Sequence, residues 1–172
     1  MLLTTKEEHI NFLNGIFCQA KNLVAQGSNV IATLVMSQLI EIMGSYLDTK
    51  PMRSREQSAT RFNTAIYRLF PIKYSKANRK SFLYYQLRTS IVHTLTPTCS
   101  IALKSGVSEQ HLNENDEITE IYTGNLLNDT EKALHILIRL INEDKVKLKK
   151  LAAGEVGCHS VRQSEPTKER VE

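Results

Sequence analysis

The chain has no tryptophan, only four prolines, seven glycines and three cysteines among its 172 residues, and aromatic residues make up 6%. Each shortage excludes something. So little Pro and Gly rules out a collagen-like or low-complexity chain, and 41% hydrophobic residues argue against wholesale disorder. Cys18, Cys99 and Cys158 are odd in number, widely spaced and free of any C-x-x-C pair. That usage fits a reducing compartment and small hydrophobic side chains better than a disulfide framework or a zinc site. His9, His93, His111, His135 and His159 show no H-E-x-x-H spacing, so no metal or other cofactor is expected.

A long apolar run is also missing. Val30–Leu47 comes nearest, but Thr33, Ser37, Gln38, Glu41 and Ser45 interrupt it, and a charge near the centre of a membrane span is costly. The opening MLLTTKEEH is too short in its apolar stretch and too acidic for a signal peptide. These features predict a soluble, cytoplasmic protein with no membrane partner. A chain of this length buries roughly 70% of its unfolded surface and needs no staple. One helical domain over 1–152 is expected, followed by a disordered polar tail over 153–172, where Gly, Ser, Pro, Gln, Glu and Lys take over.

What the chain does have is charge in blocks. The net charge of +4 conceals a run from Lys50 to His93 with ten basic residues opposed only by Glu56, a local +9. From Ser105 to Glu131 seven acidic residues meet no basic one, a local −7. The basic block could attract phosphates, or it could form solvated helix faces neutralised by the acidic segment.

Apolar spacing is mostly helical. Ile10, Leu13, Phe17, Leu23 and Val24 predict a helix over about 6–26, ended by Gly27. A second, over about 30–48, is apolar around most of its circumference, with a polar stripe at Thr33, Ser37, Glu41, Gly44 and Asp48. A third starts at Ser54 and closes at Phe70-Pro71, and a fourth runs unbroken from about Lys76 to Leu95, before Pro97. Ser100–Lys104 and Ile118–Tyr122 alternate weakly and predict a small antiparallel hairpin. The last helix takes Asn128 as its cap, with Glu131 three residues on, and repeats Leu127, Leu134, Ile141 and Leu148 every seven. The expected fold class is all-α: an up-and-down bundle of four to five helices with a small β-hairpin inserted before the last helix.

The fourth helix ends in Leu87-Arg88-Thr89-Ser90-Ile91-Val92-His93, an R-x4-H spacing preceded by the aromatic run Phe82-Leu83-Tyr84-Tyr85. With the upstream Arg61-Phe62 helix leading to Phe70-Pro71 and Tyr74, this segment resembles the HEPN superfamily over about residues 55–150. The resemblance implies a metal-independent endoribonuclease or RNA-binding protein, working as a homodimer whose two motifs meet across a cleft, with room for a regulatory protein partner. Carried onto this chain, the catalytic positions are Arg88 and His93. Their chemistry suits the task. An imidazole accepts a proton near neutral pH, and a guanidinium presents a charged planar fork to a phosphate. His93 would act as general base on a ribose 2′-OH, and Arg88 would stabilise the charge of the transition state.

On an ideal α-helix five residues place Arg88 and His93 about 140° apart, so convergence needs a relaxed turn, the reach of the Arg side chain or a second subunit. Thr89 stands where the family most often has Asn. Gln86 and Arg79 continue roughly the face of Thr89 and His93 and, with Lys80, are candidate contacts to RNA. The bland readings are definite too. Arg88 could pair with a carboxylate such as Glu41, and His93 could sit on the helix dipole. Tyr84 and Tyr85 could stack on bases or simply fill the core. A catalytically inactive helical dimerisation or docking module is therefore the alternative function. His9, His111, His135 and His159 have no partner at useful spacing and carry no predicted role.

Overall fold

Two leucines and a threonine start the fold. Leu2–Leu3 forms a short strand, β1, and Thr5 caps the helix that follows, α1 (Lys6–Ala25). The Glu8 amide donates to Thr5 Oγ1 at 3.2 Å and Glu8 Oε2 accepts from the Thr5 amide at 2.9 Å, a reciprocal capping box. The computed structural model describes residues 2–152, and the tail expected over 153–172 lies outside the described residues.

The central element is α2 (Asn29–Tyr46), whose Met36, Leu39, Ile40 and Met43 are fully buried. It packs on α1, on α3 (Ser58–Leu69) and on the final helix α6 (Thr123–Asn142). Its polar stripe does not face water. Thr33 and Ser37 are buried, and Gly44 lets α3 approach so closely that a Cβ there would stand 1.9 Å from the Arg61 carbonyl oxygen. Arg61, buried on α3, donates to Asp48 Oδ2 at 2.8 Å and to the carbonyls of Pro51 and Met52 at 2.7 and 2.6 Å. Lys149 Nζ reaches the same carboxylate at 3.0 Å, so one aspartate fastens α2, α3 and the C-terminal strand approach together.

The expected unbroken helix over 76–95 is instead broken once: α4 (Ile72–Ala77) gives way to a 3-10 turn (Arg79–Ser81), and the helix resumes over 82–94 through a wide π-helical segment (Tyr84–Ser90) into α5 (Ile91–Thr94). The break has a local cause. Buried Asn78 accepts the Leu83 amide at 2.9 Å and donates to Asn63 at 2.8 Å, while Asn63 donates to Ser81 Oγ at 2.7 Å. That clamp holds Lys80 and Ser81 at φ +51° and +62°, a region disfavoured for residues with a Cβ.

The sheet also departs from expectation. Strands β2 (Ile101–Lys104) and β4 (Ile118–Tyr122) pair side by side in parallel, not as an antiparallel hairpin. The hairpin joins β3 (Glu114–Asn115) to β4, across Asp116 and Glu117 at φ +49° and +66°. Positive φ at both central residues is the geometry of a two-residue hairpin turn matched to strand twist, and it fixes the register Asn115 to Ile118. β4 runs straight into α6, so the helix begins at Thr123 and Asn128 lies inside it rather than capping it. Leu134 and Ile141 of the seven-residue repeat are buried and Leu127 half-buried, while Leu148 falls beyond the helix end. A last strand, β5 (Leu151–Ala152), pairs antiparallel with β1. The chain is thus mostly helical with a small three-stranded sheet, and no helix among the described residues is long and apolar enough to cross a membrane.

Candidate functional site

Arg88 lies in the π-helical segment and is half-buried. Ser90 Oγ donates to the carbonyl of Tyr85, five residues back, at 2.8 Å, spanning the wide turn. Such turns bring residues five apart nearer one another than an α-helix does and are common at functional sites. Arg88 Nε donates to Glu41 Oε2 on α2 at 3.0 Å, and its two Nη groups make no hydrogen bond among the described residues. His93, on α5, is exposed, and its ring makes no hydrogen bond or ion pair among the described residues. One copy of the chain therefore turns Arg88 towards α2 and His93 towards solvent. Tyr85, Val92 and Leu95 are exposed on the same short stretch, with Leu95 at φ +53°.

The other expected contacts are scattered. Thr89 is half-buried, and Gln86 accepts a hydrogen bond from Thr98 Oγ1. Tyr84 packs edge-on against Phe62, with ring centroids 5.7 Å apart, so it belongs to the core edge, while Tyr85 is exposed. Arg79 and Lys80 are exposed on the 3-10 turn. The break after Asn78 takes Arg79 off the helix that carries Gln86, Thr89 and His93, so the single face expected for them does not form.

Arg79 instead joins Lys73, Lys76 and Phe82 on one wall of a cleft of about 520 Å³, faced by Asn113, Glu114, Glu117 and Thr119 from the sheet. A second cavity of about 420 Å³ is lined by Lys73, Ser108, His111 and Asn125. Lys73, common to both, is paired to the buried carboxylate of Asp129 at 2.9 Å. Burial alone would raise the Asp129 carboxyl, and Lys73 and Lys132 together hold it below its ordinary value.

His111, which sequence spacing left without a role, sits at the centre of this region. The Tyr122 amide donates to its Nδ1 at 3.0 Å, so Nε2 carries the proton and faces the Tyr74 hydroxyl at 2.9 Å. Burial, with Lys73 nearby, pushes the imidazole down to about 4, and burial with Asp129 nearby pushes the Tyr74 hydroxyl well above its usual range. Both groups stay neutral at physiological pH. They pin the sheet to α4 and offer neither a base nor a nucleophile. No group of three or more His, Cys, Asp or Glu side chains among the described residues could hold a metal ion.

No family model, curated protein or solved structure matches the chain. His111, Glu114 and Glu117 lie some forty residues from the lysines and arginine they face, a distance at which no sequence motif links them. The pairing of Lys73 with Asp129 has one sequence signal: the juxtaposition of a strongly basic and a strongly acidic block.

Proposed function

We propose that the chain is an RNA-directed protein of the HEPN type: an up-and-down helical bundle acting as a homodimer, which cuts or binds RNA without a metal through Arg88 and His93. One observation carries the reading. Arg88 is oriented through Nε by Glu41 with both Nη groups unused, while His93 stands exposed five residues later on a helix widened by a π turn. A guanidinium fixed in this way has its outer edge ready for a phosphate. His93 takes the proton of a ribose 2′-OH. The 2′ oxygen then attacks phosphorus, the P–O5′ bond breaks and the 5′ oxygen takes a proton from solvent water, and a 2′,3′-cyclic phosphate remains, with Arg88 offsetting the charge that builds on the phosphoryl oxygens. Exposed Tyr85, Val92 and Leu95 beside His93 suit a contact with a second copy, which would complete the cleft.

Purified protein should cut RNA in excess EDTA and leave 2′,3′-cyclic phosphate ends, and Arg88→Ala and His93→Ala should each abolish the cut. Cleavage persisting in either variant would refute the assignment. A monomeric mass at working concentration would remove the composite cleft. The catalytically inactive docking module is favoured by a single feature, the Arg88–Glu41 pair itself, which is a sufficient structural use for the arginine. On that reading no RNA is cut, and Arg88 matters only to stability.

A further inference from the structure

The cleft between α4, the 3-10 turn and the sheet differs from the Arg88–His93 region in having both a concave shape and an ordered division of charge. One wall carries Lys76 and Arg79, exposed and without an ion-pair partner among the described residues. Glu114 and Glu117, from the β3–β4 hairpin, line the same cleft and are likewise exposed and without an ion-pair partner among the described residues. Lys73 adds little to the first wall, because Asp129 already holds it at 2.9 Å. Phe82 supplies a ring to the same cleft. The volume of about 520 Å³ lies within the roughly 300–1,000 Å³ usual for small-ligand sites.

A site divided in this way selects against a simple anion, which would meet the two carboxylates as well as the two cations. It suits a ligand with an anionic end, a flat face and an edge of N–H donors. From this division of charge we infer that the cleft binds one nucleotide unit of RNA whose base carries an amino group, its phosphate on Lys76 and Arg79 and its base edge on Glu114 and Glu117. Carboxylates only accept hydrogen bonds, so they favour bases that donate. Guanine offers adjacent N1–H and amino donors to one carboxylate, adenine and cytosine offer an amino group, and uracil offers a single N–H flanked by carbonyls. Phe82 provides the stacking face, which is indifferent to base identity.

The backbone supports a placed Arg79. The turn that carries it holds Lys80 and Ser81 at positive φ, and the Asn63–Asn78 clamp maintains them there. Strain of this kind persists only where the surroundings over-determine it, and it collects at binding sites. The inference rests on the RNA reading for the identity of the polymer, but its residues are separate from Arg88 and His93.

The test is calorimetric titration of the full chain, in EDTA, with the 5′-monophosphates of guanosine, adenosine, cytidine and uridine, and with inorganic phosphate. Guanosine monophosphate should bind tightest, with uridine monophosphate and phosphate at least tenfold weaker. The double variant Lys76→Glu/Arg79→Glu should lose at least tenfold in affinity for guanosine monophosphate. Glu114→Gln/Glu117→Gln should bring the guanosine-to-uridine ratio towards one. All four side chains are exposed, and an unchanged circular dichroism spectrum checks that the variants fold. Equal binding of phosphate and guanosine monophosphate, equal binding of the guanosine and uridine compounds, no binding at millimolar concentration, or indifference to the Lys76/Arg79 reversal would each overturn the inference. Cutting of RNA without mononucleotide binding would sink this inference and leave the ribonuclease reading standing. Mononucleotide binding without cutting would do the reverse.

Discussion

Replacing Arg88 by methionine separates the two uses of that residue. The Nε to Oε2 distance is 3.0 Å, and the side chains of Arg88 and Glu41 are 22% and 15% exposed. At an effective dielectric constant of about 20, two unit charges at that separation attract by roughly 5–6 kcal/mol before desolvation is subtracted. Exposed pairs return about 0–1 kcal/mol net, and breaking a buried pair costs about 3–5 kcal/mol because a charge is left stranded. The exposures here lie between those limits, so Arg88→Met should cost about 2 kcal/mol. For a chain of this size that lowers Tm by about 4–8 °C. Adding Glu41→Gln removes the stranded carboxylate and should restore about 1 kcal/mol, a coupling that urea unfolding followed by far-UV circular dichroism measures in a double-mutant cycle. A coupling below about 0.3 kcal/mol would refute the pairing as a contributor to the fold. Cleavage assayed on the same proteins gives the functional half. If Arg88 acts on RNA, the double variant regains stability and stays inactive.

Two further outcomes follow from the electrostatics. An unfolded His111 takes a proton below about pH 6.5, whereas the folded one resists until about 4. The folded state therefore loses stability as pH falls through that window, by up to about 3 kcal/mol, and the loss is complete below it. Among the carboxylates whose folded values are lowered, the half-buried Asp48 and the buried Asp129 add losses at more acidic pH in any variant that keeps them. Buried His9, also held below its ordinary value by burial, adds a loss in the same direction below about pH 6.5. His111→Gln should therefore reduce the dependence between pH 6.5 and about 4 without abolishing it, and an unchanged slope would refute the assignment. Binding to single-stranded RNA should weaken with salt, and Arg79→Ala should reduce the slope of log affinity against log salt by about 0.7. Lys73→Ala should leave that slope unchanged, since Asp129 already occupies its charge. An equal fall for both would overturn internal neutralisation.

The long helices were legible because their apolar spacing is local information. The prediction of 6–26 meets α1 at Lys6–Ala25, and that of 30–48 meets α2 at Asn29–Tyr46. The third helix begins at Ser58 rather than Ser54, after a stretch that Asp48 and Arg61 tie down from a distance. The break after Asn78 was not legible, because it depends on Asn63, fifteen residues earlier, as the partner of the asparagine side chain. The strand segments were placed correctly and paired wrongly. Alternation marks a strand but not its neighbour, and only the positive φ of Asp116 and Glu117 reveals that the hairpin belongs to β3 and β4. Glu41 was legible as a partner for Arg88 because it lies on the polar stripe of an otherwise apolar helix, and the structure joins them.

The same break decides how the basic block is used. Arg79, Gln86 and His93 are seven residues apart, and on a continuous α-helix positions at that spacing drift only about 20° per step. They would have formed one stripe, a single track for a phosphate backbone ending at the histidine. The Asn63–Asn78 clamp ends the helix between the first two, and Gln86 is engaged by Thr98. Arg79 then falls to the cleft facing Glu114 and Glu117, while His93 stays on α5 beside exposed Val92 and Leu95. Elsewhere in the block, Arg61 and Arg88 turn inward to Asp48 and Glu41, and Lys73 to Asp129. The local charge of +9 is thus only partly spent in these three pairs: Lys50, Arg53, Arg55, Arg68, Lys76, Arg79 and Lys80 stay exposed without an ion-pair partner among the described residues. Besides those exposed cations, a polyanion meets a mixed-charge cleft at one place and an exposed histidine with a half-buried arginine at another. The first can discriminate among bases, because its carboxylates reject acceptor edges. On the proposed readings the second supplies the groups for proton transfer and the first reads the base, so selectivity and chemistry reside in different side chains and separate by mutation.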